Sequence, residues 1–173
     1  MDTKGRLNAL EVALNNEMRE RQFYLKHAER TKNHLGRAMF LQIADEELEH
    51  HERIQELRKK WQNNEKWPET IPLKVKETKV DTILKDFLRE TDDISEADDD
   101  DRQAIETAID FEDRGAAFYS GLREEVSDPK EKAFFDLLAR IEHEHWASLR
   151  DTQDFLNDPA AWYTKSEHHG LEG

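Results

Sequence analysis

The chain has 173 residues, 38% charged and 36% apolar, with a formal net charge of −14. That length suits one domain with a real core, and that balance suits long helices with one buried stripe and wide solvated faces. The acidic charge argues against nucleic acid and against an anionic membrane surface, no run is apolar enough to span a bilayer, and zero cysteines exclude disulfides, cysteine-bound zinc and cysteine-bound iron–sulfur clusters.

The N-terminal MDTKGRLNAL lacks the apolar core of a signal peptide, so a cytoplasmic location is expected. From about Thr3 to Lys32 the chain reads as a helix, with no proline and apolar residues at Leu7, Leu10, Leu14, Tyr24 and Ala28. Asn33 is the expected N-cap of a second helix running to about Asn64. Pro68 and Pro72 then open a long connection. Inside it, Val80, Ile83, Leu84, Phe87 and Leu88 recur at helical spacing, which predicts a short amphipathic helix over about 80–89. The acidic run Asp98 to Asp101 heads a third helix, where negative charge suits the helix dipole. That helix is expected to reach about Val126. Asp128, Pro129 and Glu131 form the start signal of a fourth, which runs to about Asn157 and stops before Pro159. Trp162 and Tyr163 are expected to dock the tail. The reading is all-α: two helical hairpins (about 5–64 and 98–157) in a four-helix bundle, joined by a crossover (65–97) and followed by a tail (158–173) within one domain spanning 1–173.

The hairpins are copies of one another. Adding 95 to Glu17, Tyr24, Glu47 and His50 gives Glu112, Tyr119, Glu142 and His145, without a gap. The second helix carries Phe40, Ile43, Glu47, His50, Ile54, Leu57 and Trp61 at alternating steps of three and four. The fourth carries Phe135, Leu138, Glu142, His145, Leu149, Thr152 and Leu156. Glu17 and Glu112 fall on the corresponding seams of the first and third helices, beside the small residues Ala13 and Ala108. Four ionised carboxylates in a core repel one another and lose hydration, so the pattern makes sense around cations. Glu17, Glu47, His50, Glu112, Glu142 and His145 form a ligand set for two metal ions, with Glu47 and Glu142 able to bridge both. In a chain so rich in glutamate, a single Glu-x-x-His is only a solvated helix face; the duplication at identical spacing is what gives it weight. Glu20, on the same seam as Glu17, reads either as an extra ligand or as a solvated residue, because its repeat partner is Gly115. Tyr24 and Tyr119 read as hydrogen-bond donors to the carboxylates. His27, His34, His51 and His143 fall off the seams and read as surface residues, and the His168-His169 pair is assigned nothing.

The duplicated Glu17, Glu47-Leu48-Glu49-His50, Glu112 and Glu142-His143-Glu144-His145, with Phe23-Tyr24 and Phe118-Tyr119, resemble the erythrin, or rubrerythrin-like, branch of the ferritin-like superfamily over roughly 5–157. The resemblance implies a ferritin-like bundle holding two iron ions and reacting with hydrogen peroxide or dioxygen, the metal ligands being also the catalytic residues. Manganese and zinc are possible substitutes, because nitrogen and oxygen donors accept all three. Rubrerythrin itself draws electrons from a cysteine-ligated rubredoxin domain; here an external donor protein is expected. The family's further glutamate on the third helix is replaced by Gly115, with Glu20 a pseudo-symmetric stand-in. The leading expectation is a peroxidase-type oxidoreductase. The alternatives are a ferroxidase in iron handling, an oxygenase (for which the sequence marks no substrate channel) and a structural metal-binding protein. A homodimer is expected as well, since Ile83, Leu84, Phe87 and Leu88 would otherwise expose an apolar strip.

Overall fold

A computed structural model describes residues 2–63, 77–90 and 97–170. These form six helices: α1 (Thr3–Arg30), α2 (His34–Gln62), α3 (Val80–Glu90), α4 (Asp99–Glu125), α5 (Pro129–Asn157) and α6 (Pro159–Gly170). The starts of α1, α2, α4 and α5 each have a local cause. Asp2 Oδ1 accepts from the Gly5 amide at 2.7 Å and Asn33 Oδ1 from the Gly36 amide at 2.8 Å. Asp98 and Asp101 bond reciprocally to each other's backbone amides as a capping box. Asp128 caps α5 with Pro129 at its first turn, while the Glu131 carboxylate pairs with Arg6 at 3.6 Å. The breaks expected at Pro68 and Pro72 lie outside the described residues.

Two hairpins, α1–α2 and α4–α5, pack into an all-helical bundle in which α1 meets α4 and α2 meets α5. The predicted seams are the buried faces. On α2, every seam residue from Phe40 to Trp61 is buried, and so is every one on α5 from Phe135 to Leu156. Two apolar clusters result. One joins Leu10, Leu57, Trp61, Tyr119, Phe135 and Ile141; the other joins Tyr24, Phe40, Ile43, Ile105, Leu149 and Phe155. Each large side chain so buried contributes on the order of 1.5–3 kcal/mol. Between Ile43 and Ile54 on α2 the seam is occupied by Glu47 and His50, and between Leu138 and Leu149 on α5 by Glu142 and His145. The polar residues therefore form a layer with apolar packing on both sides.

The crossover helix α3 lies where the apolar spacing predicts it. Val80 and Leu84 are buried, and Ile83 and Phe87 are packed against the second cluster, with α3 lying against α2 and α5. Of the apolar strip that motivated a homodimer, Leu84 is buried and Ile83 and Phe87 are partly buried within one chain; Leu88's side chain lies outside what is described. The tail carries the further helix α6. Trp162 packs edge-on to Phe155 with ring centroids 5.5 Å apart, and its Nε1 donates to Asp151 Oδ1 at 2.8 Å. Tyr163 also meets the Phe155 ring edge-on, with centroids 6.1 Å apart, though it stays 41% exposed. The side chains of His168 and His169 lie outside what is described. No helix among the described residues is long and apolar enough to cross a membrane.

Candidate metal centre

Helical spacing puts residues three and four apart on one face, so each Glu-x-x-His motif delivers its carboxylate and imidazole to the same side. α2 supplies Glu47 and His50, α5 supplies Glu142 and His145, α1 supplies Glu17 and α4 supplies Glu112. All six are at most 1% exposed. His50 Nδ1 lies 3.6 Å from Glu17 Oε2, 3.8 Å from Glu47 Oε2 and 3.5 Å from Glu142 Oε1. His145 Nδ1 lies 3.4 Å from Glu47 Oε1 and 3.3 Å from Glu112 Oε2. The rings face each other, 15° from parallel with centroids 6.3 Å apart.

Two donor groups result: Glu17, Glu47, His50 and Glu142, and Glu47, Glu112, Glu142 and His145. Within each, the ligand atoms lie within 4.8 Å of one another, and Glu47 and Glu142 belong to both. Glu17 Oε2, both oxygens of Glu47, both oxygens of Glu142 and His50 Nδ1 are buried without a hydrogen-bond partner. Orphaned buried acceptors are costly, and acceptors converging from four helices call for a positive charge. The residues present therefore fit two cations, each with its own carboxylate and imidazole, sharing two further carboxylates.

The tyrosines cross between repeats. Tyr24 on α1 donates its hydroxyl to Glu112 Oε1 on α4, and Tyr119 on α4 donates to Glu17 Oε1 on α1. Each unshared carboxylate is thus oriented by the opposite repeat. Burial first, then the charge of the bonded carboxylate, pushes both phenols well above their ordinary range, which keeps them as donors.

Without cations the layer lowers its charge by holding protons. Burial pushes Glu47 and Glu142 well up, helped by neighbouring carboxylates. Burial acts the same way on Glu17, but the close approach of Glu47 and His50 and the bond from Tyr119 outweigh it and hold its carboxyl low. His145 is pushed down by burial and up by Glu112 and Glu46, and the carboxylates prevail, leaving it at about 10. Cation binding at this centre therefore releases protons.

Two features, a cavity and Glu46, escaped the sequence pattern. A cavity of about 240 Å³ between α1 and α4 reaches the layer, bordered by Glu17, Tyr119 and Glu142 at its floor and by Glu20, Phe111 and Gly115. Glu20 belongs to neither donor group; it stands on this cavity wall, raised to about 10 by burial and the nearby Glu112 and Glu17 charges. Gly115 supports the shape of the floor, since a Cβ there would meet Glu142 Oε2 at 2.5 Å. Finally, Glu46 lies 3.7 Å from His145 Nε2, though it is off the seam because it immediately precedes Glu47. Of the histidines read as surface residues, His34 and His143 are exposed, whereas His27 and His51 are half-buried, His27 resting 4.3 Å from the Phe23 ring.

A family model described as Rubrerythrin matches residues 8–153, which includes all six centre residues and both tyrosines. No curated protein and no solved structure matches the chain.

Proposed function

Because the chain belongs to the rubrerythrin family, we propose that it is a non-haem di-iron oxidoreductase that reduces hydrogen peroxide with electrons from an external donor protein. The two buried donor groups that share Glu47 and Glu142 carry this reading. Glu17 and His50 would hold one iron, Glu112 and His145 the other, and Glu47 and Glu142 both. Iron bound by these residues would supply the two electrons needed, with two protons, to turn one peroxide into two waters. The remaining work falls to the chain. Tyr24 and Tyr119 hold the unshared carboxylates in place. The apolar layers above and below keep bulk water from the centre. The reaction also consumes two protons, and Glu20, the carboxyl on the cavity wall outside the ligand set, is placed to pass them on one at a time, regaining its proton from solvent between them.

The cavity supports a small oxidant. Its volume of about 240 Å³ falls below the roughly 300–1,000 Å³ typical of pockets for larger organic ligands. No cysteine occurs in the 173 residues, so no cysteine-bound iron relay within them feeds the centre, and each turnover draws on a separate donor. Manganese or zinc would fit the same donors, which makes metal identity part of the test.

The test is single-turnover oxidation of anaerobically reduced, iron-loaded protein, followed by stopped-flow absorbance and metal analysis. About one equivalent of peroxide consumed per pair of irons, faster than oxidation by dioxygen, supports the assignment; two ferrous ions hold the two electrons required. Oxidation by dioxygen at the same rate would move the assignment to a ferroxidase or oxygenase. Inertness to both oxidants with two irons bound would make the centre structural.

A further inference from the structure

The two halves of the centre are not equivalent, and the difference lies behind the imidazoles rather than in front of them. His145 presents Nδ1 to Glu47 and Glu112, leaving Nε2 on the far side of the ring. Glu46 Oε1 lies 3.7 Å from that Nε2, and both atoms are buried without a hydrogen-bond partner. The other Glu46 oxygen, Oε2, accepts from Gln42 Nε2 at 3.1 Å, which anchors the carboxylate on its own helix. A closing of about 0.7 Å would bring Oε1 and Nε2 to an ordinary bond of roughly 3.0 Å. Glu46 is 9% exposed, so little water competes for that bond.

The other repeat supplies no carboxylate at the equivalent position. Adding 95 to 46 leads to Ile141, which is fully buried in the first apolar cluster and can accept no hydrogen bond. Behind the imidazoles, therefore, the copies differ in chemistry at Glu46 against Ile141.

We propose that Glu46 is a positioning residue for His145, and that it makes the cation site of Glu112 and His145 the tighter of the two and the first to fill. The inference rests on reading the six buried residues as metal ligands, as above. An imidazole ligates through a lone pair, so a metal on Nδ1 requires the proton on Nε2. A carboxylate that accepts the Nε2 proton selects that tautomer, fixes the ring's rotation and raises the basicity of Nδ1. Ile141 can do none of this for its half of the centre.

Metal-free protein titrated anaerobically with cobalt(II) tests this, with calorimetry and visible ligand-field absorption as readouts. Parent protein should bind two ions in unequal steps. Glu46→Ile, which copies the other repeat, should weaken the first step by about 10–100-fold, the usual loss when such a partner is removed, so that the steps converge. Glu46→Gln keeps an oxygen acceptor at the same reach and should restore part of the difference, a rescue that a packing role alone would not give. Melting of each metal-free variant reports folding separately. In the zinc-loaded protein, nitrogen–proton correlation spectra should show the His145 Nε2–H shifted downfield and slow to exchange. Glu46→Ile should abolish that signature and leave the His50 ring unchanged. Two equal steps in the parent, or an unchanged profile and spectrum in Glu46→Ile, would overturn the inference while leaving the peroxide reading intact. A parent that binds no ions would overturn both. Unequal, Glu46-dependent steps support the inference even in a protein inert to peroxide.

Discussion

Gly115→Ala separates the stability of the fold from the geometry of the centre, because its effects on the two have opposite signs. An alanine Cβ would sit 2.5 Å from Glu142 Oε2, 3.4 Å from its Cδ and 3.7 Å from its Cγ. Ordinary contact begins near 3.5 Å, so the carboxylate must retreat by about 1 Å. The atom in the way is the tip of a flexible side chain, and turning it costs the metal-free fold little. The same change replaces a mid-helix glycine of α4, which gains roughly 0.5–1 kcal/mol of helix stability. For a chain of this size that corresponds to a melting temperature higher by about 1–4 °C. Glu142, however, belongs to both donor groups. A misplacement of about 1 Å at reacting groups can cost on the order of 100-fold in rate, and both cations share the displaced ligand. Metal-free Gly115→Ala should therefore melt at or above the parent temperature, bind the second metal ion more weakly, and lose on the order of 100-fold in the single-turnover peroxide rate. Differential scanning calorimetry, metal titration and stopped flow measure the three quantities. Parent-like metal affinity together with a parent-like rate would refute the reasoning, since Glu142 would then have room that the structure denies it.

The shared carboxylates should matter more than the unshared ones: Glu47→Ala should lose more bound metal than Glu17→Ala, and equal metal content in the two would remove the bridging role. Tyr119→Phe deprives Glu17 Oε1 of its donor, so a loss of about 1–3 kcal/mol in denaturant stability is expected; an unchanged midpoint would show that the bond contributes nothing. In metal-free protein, Glu47 and Glu142 are held well above the ordinary carboxyl value, and Glu20 is raised from 4.5 to about 10. A raised carboxyl keeps its proton in the fold after the unfolded chain has released its own. The stability it contributes is therefore present below the unfolded value and lost as pH rises. His145, raised from 6.5 to about 10, acts in the same direction at higher pH. Glu17 and Glu46 are lowered, and their favourable contribution is complete once the unfolded carboxyls have ionised near 4.5. Melting of the metal-free protein should thus fall from about pH 5 to 8, while the metal-loaded protein, whose ligands have already released their protons, should resist that fall. A metal-free melting temperature that rises across this window would contradict the proposed protonation of the layer.

The parts of this molecule that could be read from its residues are those governed by local rules. Helix starts at Asn33 and Asp128 follow from side chains that reach only two or three residues along the chain. The inward faces of α2 and α5 follow from the three–four alternation, which stays legible even where the core residue is Glu or His. The packing of α3 was not legible, because whether Leu84 faces water or a groove depends on where α2 and α5 lie, and no local spacing encodes that. The crosswise tyrosine bonds depend likewise on how one hairpin sits on the other. Glu46 escaped for a different reason: it reaches the centre from beside the seam, whereas the pattern records only the seam itself.

Duplication makes the remaining differences informative. Two copies folded from one pattern impose a pseudo-two-fold centre, so each mismatch between copies breaks the equivalence of the cation sites at an identifiable place. Glu20 against Gly115 is one mismatch, and it borders the cavity whose floor is Glu17, Tyr119 and Glu142, on the side of the His50 group. Glu46 against Ile141 is the other, and it stands behind His145. One mismatch opens a path toward the first group, while the other braces a ligand of the second. An oxidant arriving through the α1–α4 cavity would meet the Glu17 and His50 half first, whereas the Glu112 and His145 half has the more firmly held imidazole. The physical consequence is a division of labour between chemically similar halves: a site open to the reactant, next to a site built to retain its metal. On that argument, peroxide-driven metal loss should come first from the half that lacks the brace. Partial oxidation followed by chelation should leave one ion per chain, coordinated with the spectral signature of His145 rather than His50. Loss of both ions together, or retention at His50, would mean that the two mismatches do not act on separate halves.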